Sequence, residues 1–205
     1  RAFMRCTSIQ SITLPNSVTE IESSAFTANS ALKGVIGPSV TKIGSSAFSG
    51  CESLKEITLP ANLCKMENTL FYGCKCLKKL VIPENVTSIG AAFARDCVSL
   101  ESVTLPVCLQ NIESNAFLGC VSLESLTLPK ALINIGTDAF DKSLIAYVYP
   151  NSVSDQFCMK NGIKTEYLAE TDDPDDPDDD TPETVILESE EGLLYTESES
   201  TVNII

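Results

Sequence analysis

The sequence predicts a solenoid, α/β leaning to mainly β, in which six to seven coils stack so that one face is a parallel sheet. Three observations carry this. Prolines stand at 15, 38, 60, 83, 106, 129 and 150, in steps of 23, 22, 23, 23, 23 and 21. A fixed period in the twenties means one coil per repeat, each stacked on the last. Apolar residues recur at fixed places within each period, and each coil closes on a short Ile/Val/Leu-x-apolar segment just before its proline.

Taken in order from the proline, the first column is Val18, Val40, Leu63, Val86, Leu109 and Leu132, with Val40 one place early. Ile21, Ile43, Met66, Ile89, Ile112 and Ile135 follow, then Phe26, Phe48, Phe71, Phe93, Phe117 and Phe140, then Leu32, Leu54, Leu77, Leu100, Leu123 and Leu144. Like residues one coil apart stack at the strand spacing of about 4.8 Å. The Phe column therefore predicts an aromatic ladder, each ring gaining about 1.5–3 kcal/mol from burial. The segment ending at proline, such as Leu54 to Leu59, is the expected strand. Its outward column reads Thr13, Ile36, Thr58, Val81, Thr104, Thr127 and Val148, all β-branched. Proline one place beyond the strand leaves no gap in its hydrogen bonding. The Ala-Phe segments are too short for more than a turn or two of helix, and Gly50, Gly73 and Gly119 supply the turn back.

Composition narrows the chemistry. The 205 residues are 43% hydrophobic and 6% aromatic, with no His and no Trp. His-based triads, His metal sites and His pH switching are excluded. No phosphate-binding, dinucleotide-binding or serine-hydrolase motif occurs, a solenoid fills its interior with side chains, and no catalytic residue or cofactor is expected. The net charge is −14, but residues 171–205 hold 13 of the 28 acids and no base. The remaining body is near neutral, so a nucleic-acid partner is not expected. No run reaches the roughly 18 apolar residues of a membrane span. Of nine cysteines, Cys51, Cys74, Cys97 and Cys120 share one column, with Cys6 in register and Asn29 in the place between. That placement predicts buried, reduced thiols acting as small hydrophobes. Cys74-x-Cys76 has no second pair with which to hold zinc. Asn85-Val86-Thr87 is a lone glycosylation sequon.

Directly after the Ile/Met column stand Glu22, Gly44, Glu67, Gly90, Glu113 and Gly136. Alternation keeps stacked carboxylates about 10 Å apart, near the Debye length, and so relieves repulsion. An ancestral two-coil duplication fits equally well, and a metal-binding carboxylate row is a third reading. The ends of the solenoid differ. Ala2-Phe3 and Cys6 read as the latter half of a coil, so the expectation is a fragment opening inside a repeat, its N-terminal cap missing. Residues 1–150 form the solenoid. Residues 151–169 are expected as a C-terminal helical cap, with a capping-box-like Ser152 and Asp155, a stop at Asn161-Gly162, and Val153, Phe157 and Cys158 facing the last coil. Residues 170–182 are an acidic Asp/Pro linker, and 183–205 are disordered or open a further domain. The Asp run lacks the spacing and glycine of a calcium-binding loop.

The run Leu14-Pro15, Val18, Ile21, Ala25-Phe26, repeated from Leu59, resembles the BspA-like subclass of leucine-rich repeats. The likeness covers about residues 2–150. Gly37 departs from it in place of the strand's last apolar residue, as does Leu70 in place of the Ala before Phe71, and the seventh coil lacks its Cys. The resemblance implies a right-handed leucine-rich-repeat solenoid and an extracellular or cell-surface protein that binds host or neighbouring-cell partners.

The function expected is therefore a non-catalytic binding module presenting its sheet face to a protein or glycan. A purely structural spacer is the alternative. The column after the stacked Leu reads Gln10, Lys33, Lys55, Lys78, Glu101, Glu124 and Ile145, with Lys79 beside Lys78. Lys33, Lys55, Lys78 and Lys79 make one half of this strip basic, and Glu101 and Glu124 make the other acidic. Ordinary solvated charge is one reading. The other is attraction of an acidic ligand by the lysine half, for which the Asp-rich run 172–180 of the same chain is a candidate.

Overall fold

The computed structural model describes residues 2–37 and 39–169. The expected linker and the stretch after it lie outside the described residues. By backbone proximity the chain divides into Arg1–Leu168 and Ala169–Ile205, and the first unit holds every element below.

Short strands follow the coil period. They are β1 (Ser11–Thr13), β2 (Glu20–Ile21), β3 (Gly34–Ile36), β4 (Lys42–Ile43), β5 (Lys65–Met66), β6 (Lys79–Val81) and β7 (Ser88–Ile89). Then come β8 (Ser102–Thr104), β9 (Asn111–Ile112), β10 (Ser125–Thr127), β11 (Asn134–Ile135), β12 (Ile145–Val148), helix α1 (Val153–Asn161) and β13 (Lys164–Tyr167). All pairing is parallel and runs between coils. The result is a mainly β solenoid with one helix among the described residues.

Two rows of strands form rather than one sheet. On the expected strand face, β1 pairs with β3, β6 with β8, and β12 with β10 on one side and β13 on the other. The second row, β2 with β4 and then the series β5-β7-β9-β11, lies at the Ile/Met column. Its members have two residues each, too few for any alternating pattern to reveal. The strand expected over Leu54–Leu59 does not form.

A third set of coil-to-coil hydrogen bonds runs through the Ala-Phe turns. The N–H groups of Ser24, Phe26 and Ala28 donate to the carbonyls of Ser45, Ala47 and Ser49 in the next coil, and the pattern repeats along the stack. It needs left-handed backbone at two places per coil. Gly50, Gly73 and Gly119 take φ of 72°, 68° and 82°, as their position predicted, while Ala28 and Asp96 take 61° at the same step. Strain at such non-glycine residues persists because the flanking hydrogen bonds over-determine it.

All eight phenylalanines lie in one ladder. It runs from Phe3 through Phe26, Phe48, Phe71, Phe93, Phe117 and Phe140 to Phe157 of α1, with centroid steps of 5.4–6.2 Å. Phe93 departs from the expected column. The Phe71 N–H donates to the Phe93 carbonyl, and the Ala94 N–H to the Ala116 carbonyl. Ala94 thus holds the Phe position, and Phe93 holds the position that is Ala elsewhere and Leu70 one coil before. Its ring stands edge-on to both neighbours, at 81° and 73°. Reaching the column from the adjacent position forces that turn.

The glycine half of the Glu/Gly alternation has a steric cause. A Cβ on Gly44 would lie 2.5 Å from the Ser23 nitrogen, one on Gly90 2.7 Å from the Asn68 nitrogen, and one on Gly136 2.3 Å from the Ser114 nitrogen. Real side chains do not tolerate such approaches. The coil boundary after each Glu therefore demands glycine in the next coil, and the geometry favours a two-coil structural unit. Gly37 has a similar reason. A Cβ there would meet Val40 Cγ2 at 2.8 Å, because the short step brings Val40 close.

At the C-terminal end the register slips by one. Thr127 pairs with Tyr147, and Ser125 with Ile145. Tyr147, not Val148, continues the outward column; Val148 is buried. Ile145 likewise aligns with Ser125 rather than Glu124. Residues 151–169 form α1 and also β13, which extends the sheet. The Ser152 hydroxyl accepts the Asp155 N–H at 3.1 Å, and Gly162 ends the helix at φ 69°. The Asp155 carboxylate turns back to accept the Asn151 N–H and the Tyr167 hydroxyl. The covered face is Ser154, Asp155 and Cys158, with Phe157 closing the ladder. Val153 instead faces outward.

Candidate functional site

Outward side chains on the strand face come from two columns. One is Ser11, Gly34, Glu56, Lys79, Ser102 and Ser125. The other is Thr13, Thr58, Val81, Thr104, Thr127 and Tyr147. The first is mostly small, which leaves the face low where Gly34 lies between Ser11 and Glu56.

A groove of about 460 Å³ opens there across four coils. Lys33, Glu56, Thr58, Lys79, Ser11, Thr13 and Val81 line it, and Ile12, Val35 and Ile57 also reach its wall. From Glu56 to Leu59 no backbone group hydrogen-bonds to any described residue, whereas Lys55 still accepts the Lys78 N–H at 3.1 Å. The strand row is also interrupted between β8 and β10, but each of those pairs on its other side. Residues 56–59 pair on neither side. The adjoining β3 carries Gly34, which has no side chain to pack against its neighbour and weakens a strand.

The structure divides the sequence-predicted strip. Lys33, Lys55, Lys78, Lys79, Glu101 and Glu124 are all exposed. Lys78 Nζ lies 2.8 Å from Glu101 Oε1, so the two halves meet in an ion pair instead of standing apart. The Glu101 carboxylate raises the Lys78 pKa through that hydrogen bond and charge. Lys33 Nζ donates to Gln10 Oε1 at 3.1 Å. Lys33 and Lys79 line the groove; Glu101 and Glu124 do not. Ser11, Thr13, Glu56, Thr58 and Val81 join the site only in the fold. The signals that point to them are Gly34 in β3, Gly37 just beyond it, and the 22-residue step. The expected contact with the acidic run 172–180 falls outside the described residues.

The column thiols are buried side chains. Cys51, Cys74, Cys97 and Cys120 donate Sγ–H to the carbonyls of Phe26, Phe48, Phe71 and Ala94 at 3.1–3.2 Å. Burial pushes Cys51 and Cys97 up to about 12 and raises Cys74 and Cys120 as well. Such thiols are poor nucleophiles and poor ligands. Asn29 fills the same column and accepts the Cys6 N–H at 2.6 Å. Among the described residues no three acidic or cysteine side chains converge as a metal site, and no helix is long and apolar enough to cross a membrane.

The family model for the BspA type leucine rich repeat region matches residues 1–98 and 91–157, in six copies. The chain belongs to this family. It is similar to the Treponema pallidum leucine rich repeat protein at 28% identity and a TM-score of 0.57, over 78% of this chain and 86% of that one. It is also similar to the pneumococcal vaccine antigen PcpA at 23% identity and a TM-score of 0.51, over 80% of this chain but only 43% of that one. A leucine rich cell surface protein from Faecalibacterium prausnitzii aligns at 20% identity and a TM-score of 0.49, over 82% and 62%. Comparison with curated protein sequences gives no match.

Proposed function

We propose that this chain is a non-catalytic binding module of a bacterial surface protein, and that it presents its strand face to a protein or glycan partner. The groove over Lys33, Gly34, Thr58, Lys79 and Val81 is the observation that supports this reading. A spacer needs no such recess, since stacking alone sustains a solenoid. Membership of a repeat family and the vaccine-antigen name of a pneumococcal protein of similar fold support the surface part of this reading.

The test is to probe the immobilised full chain with a glycan array and a peptide library, alongside Thr58→Arg and Val81→Arg variants that fill the groove. Asn134→Arg, on the second strand row, is the control. The binding reading predicts ligands whose capture falls at least tenfold in the groove variants and not in the control. Absence of any captured ligand, or equal loss in all three variants, favours the spacer.

A further inference from the structure

Resting on the binding-module reading, we infer that the groove takes an extended acidic segment of a partner protein, held by strand addition at residues 56–59. Two independent features lead to this. The first is backbone chemistry. The sequence Glu56-Ile57-Thr58-Leu59 has the β-branched pattern of the strands in neighbouring coils, and Val103-Thr104-Leu105 reads the same way at the equivalent place. Yet its N–H and C=O groups make no hydrogen bond with any described residue. β3 is paired only to β1, and β6 only to β8, so each turns an unpaired edge toward this segment. Unpaired edges of this kind are a template for another extended chain, with main-chain hydrogen bonds giving affinity and alternate side chains giving specificity.

The second feature is charge. Lys33 and Lys79 line the groove and Lys55 adjoins it, against the single carboxylate of Glu56. Lys55 and Lys79 form no ion pair among the described residues, whereas Lys78 is taken by Glu101. The local excess is positive in a body that is otherwise near neutral. An extended segment with Asp or Glu at alternate positions meets both requirements. Its backbone pairs with the open edge, its carboxylates reach the lysines, and its intervening apolar side chains meet Ile12, Val35 and Ile57.

The experiment measures binding of a fluorescent eight-residue peptide alternating Val and Asp to the full chain by anisotropy. Four comparisons accompany it: a Val/Lys peptide, two forms of the parent with alternate backbone nitrogens methylated in either register, a Lys33→Ser/Lys55→Ser/Lys79→Ser variant, and Gly34→Val. A Cβ at Gly34 meets no atom within 4 Å, so Gly34→Val sends its side chain into the groove from an unobstructed start. The inference predicts that the acidic peptide binds at least tenfold more tightly than the basic one. At least one methylated form and Gly34→Val should each lose tenfold or more. The lysine variant should lose severalfold, together with most of the salt dependence. Methylated peptides that bind as well as the parent would overturn strand addition. If the acidic peptide does not bind while an array ligand still does and is lost in Thr58→Arg, this inference fails and the binding-module reading stands. If neither binds, both fail.

Discussion

Gly90→Ala adds one methyl group to the solenoid, and the structure places it against backbone. The new Cβ would lie 2.5 Å from Asn68 Oδ1, 2.7 Å from the Asn68 nitrogen and 2.8 Å from the Glu67 carbonyl carbon. Ordinary contact begins at 3.4 Å, so the two coils must part by about 0.7 Å at a point where they are tied together. The ties are the Gly90 N–H to the Met66 carbonyl at 2.8 Å and the Ala91 N–H to Asn68 Oδ1 at 2.9 Å. Overpacking of this kind costs about 1–3 kcal/mol, and loss of the Asn68 bond adds about 1 kcal/mol. The stiffer unfolded chain returns about 0.4–1 kcal/mol. The net expectation is a loss of about 2 kcal/mol, a fall of about 1 M in the urea midpoint at a slope near 2 kcal/mol/M. Gly34→Ala is the matched control, since its Cβ meets nothing within 4 Å, and it should leave the midpoint unchanged or slightly raised. Equal midpoints for the two variants would refute the steric account and return the Glu/Gly alternation to charge spacing.

Other expectations follow from the core. Phe71→Ala removes a fully buried ring from mid-ladder and should cost about 3–5 kcal/mol in urea unfolding. Native-state labelling should modify exposed Cys64 and Cys76 quickly and Cys51, Cys74, Cys97 and Cys120 only on denaturation. A Cys51–Cys74 or Cys97–Cys120 disulfide in a non-reducing digest would contradict the reduced-thiol reading. Thiols raised from 9.0 to about 12 in the fold remain protonated where the unfolded chain ionises. Their contribution to stability is complete below about pH 9 and is lost as pH rises toward 12, by up to about 1.4 kcal/mol per pH unit for each. Cys51→Ala with Cys97→Ala should flatten that alkaline decline; an unchanged slope would place its origin elsewhere.

The solenoid was legible because its determinants are one-dimensional. Proline steps mark the coils, and the Ile, Phe, Cys and Leu columns name the side chains that end up inside. One-residue shifts account for the departures from the expected columns. Phe93 stands four residues before Cys97, whereas Phe71 and Phe117 stand three before Cys74 and Cys120, so the spacing already held the clue to its displaced position. Tyr147 takes the outward place of Val148 because the last coil is short, a change invisible until the strands pair. The second strand row is not legible in the sequence because two residues carry no alternation. The Glu/Gly column was seen, but its cause is a close approach between coils that sequence separation conceals. The candidate site was legible only in part. Lysines standing one coil apart place Lys33 and Lys79 on the strand face, where the groove opens. The pairing of Lys78 with Glu101 depends on side-chain reach, and the open backbone at 56–59 lies in a segment whose residues look like those of a paired strand.

Amide hydrogen exchange on the free full chain tests that open backbone most directly. The amides of Ile57, Thr58 and Leu59 should exchange at close to unprotected rates. Those of Ile82, Ser102 and Leu128, bonded to the Thr104, Lys78 and Tyr147 carbonyls, should be slowed by orders of magnitude. Adding the Val/Asp peptide should then slow exchange within 57–59. Protection of Ile57, Thr58 and Leu59 equal to that of Ser102 in the free chain would show a continuous ladder, and with it no open strand position for a partner to fill.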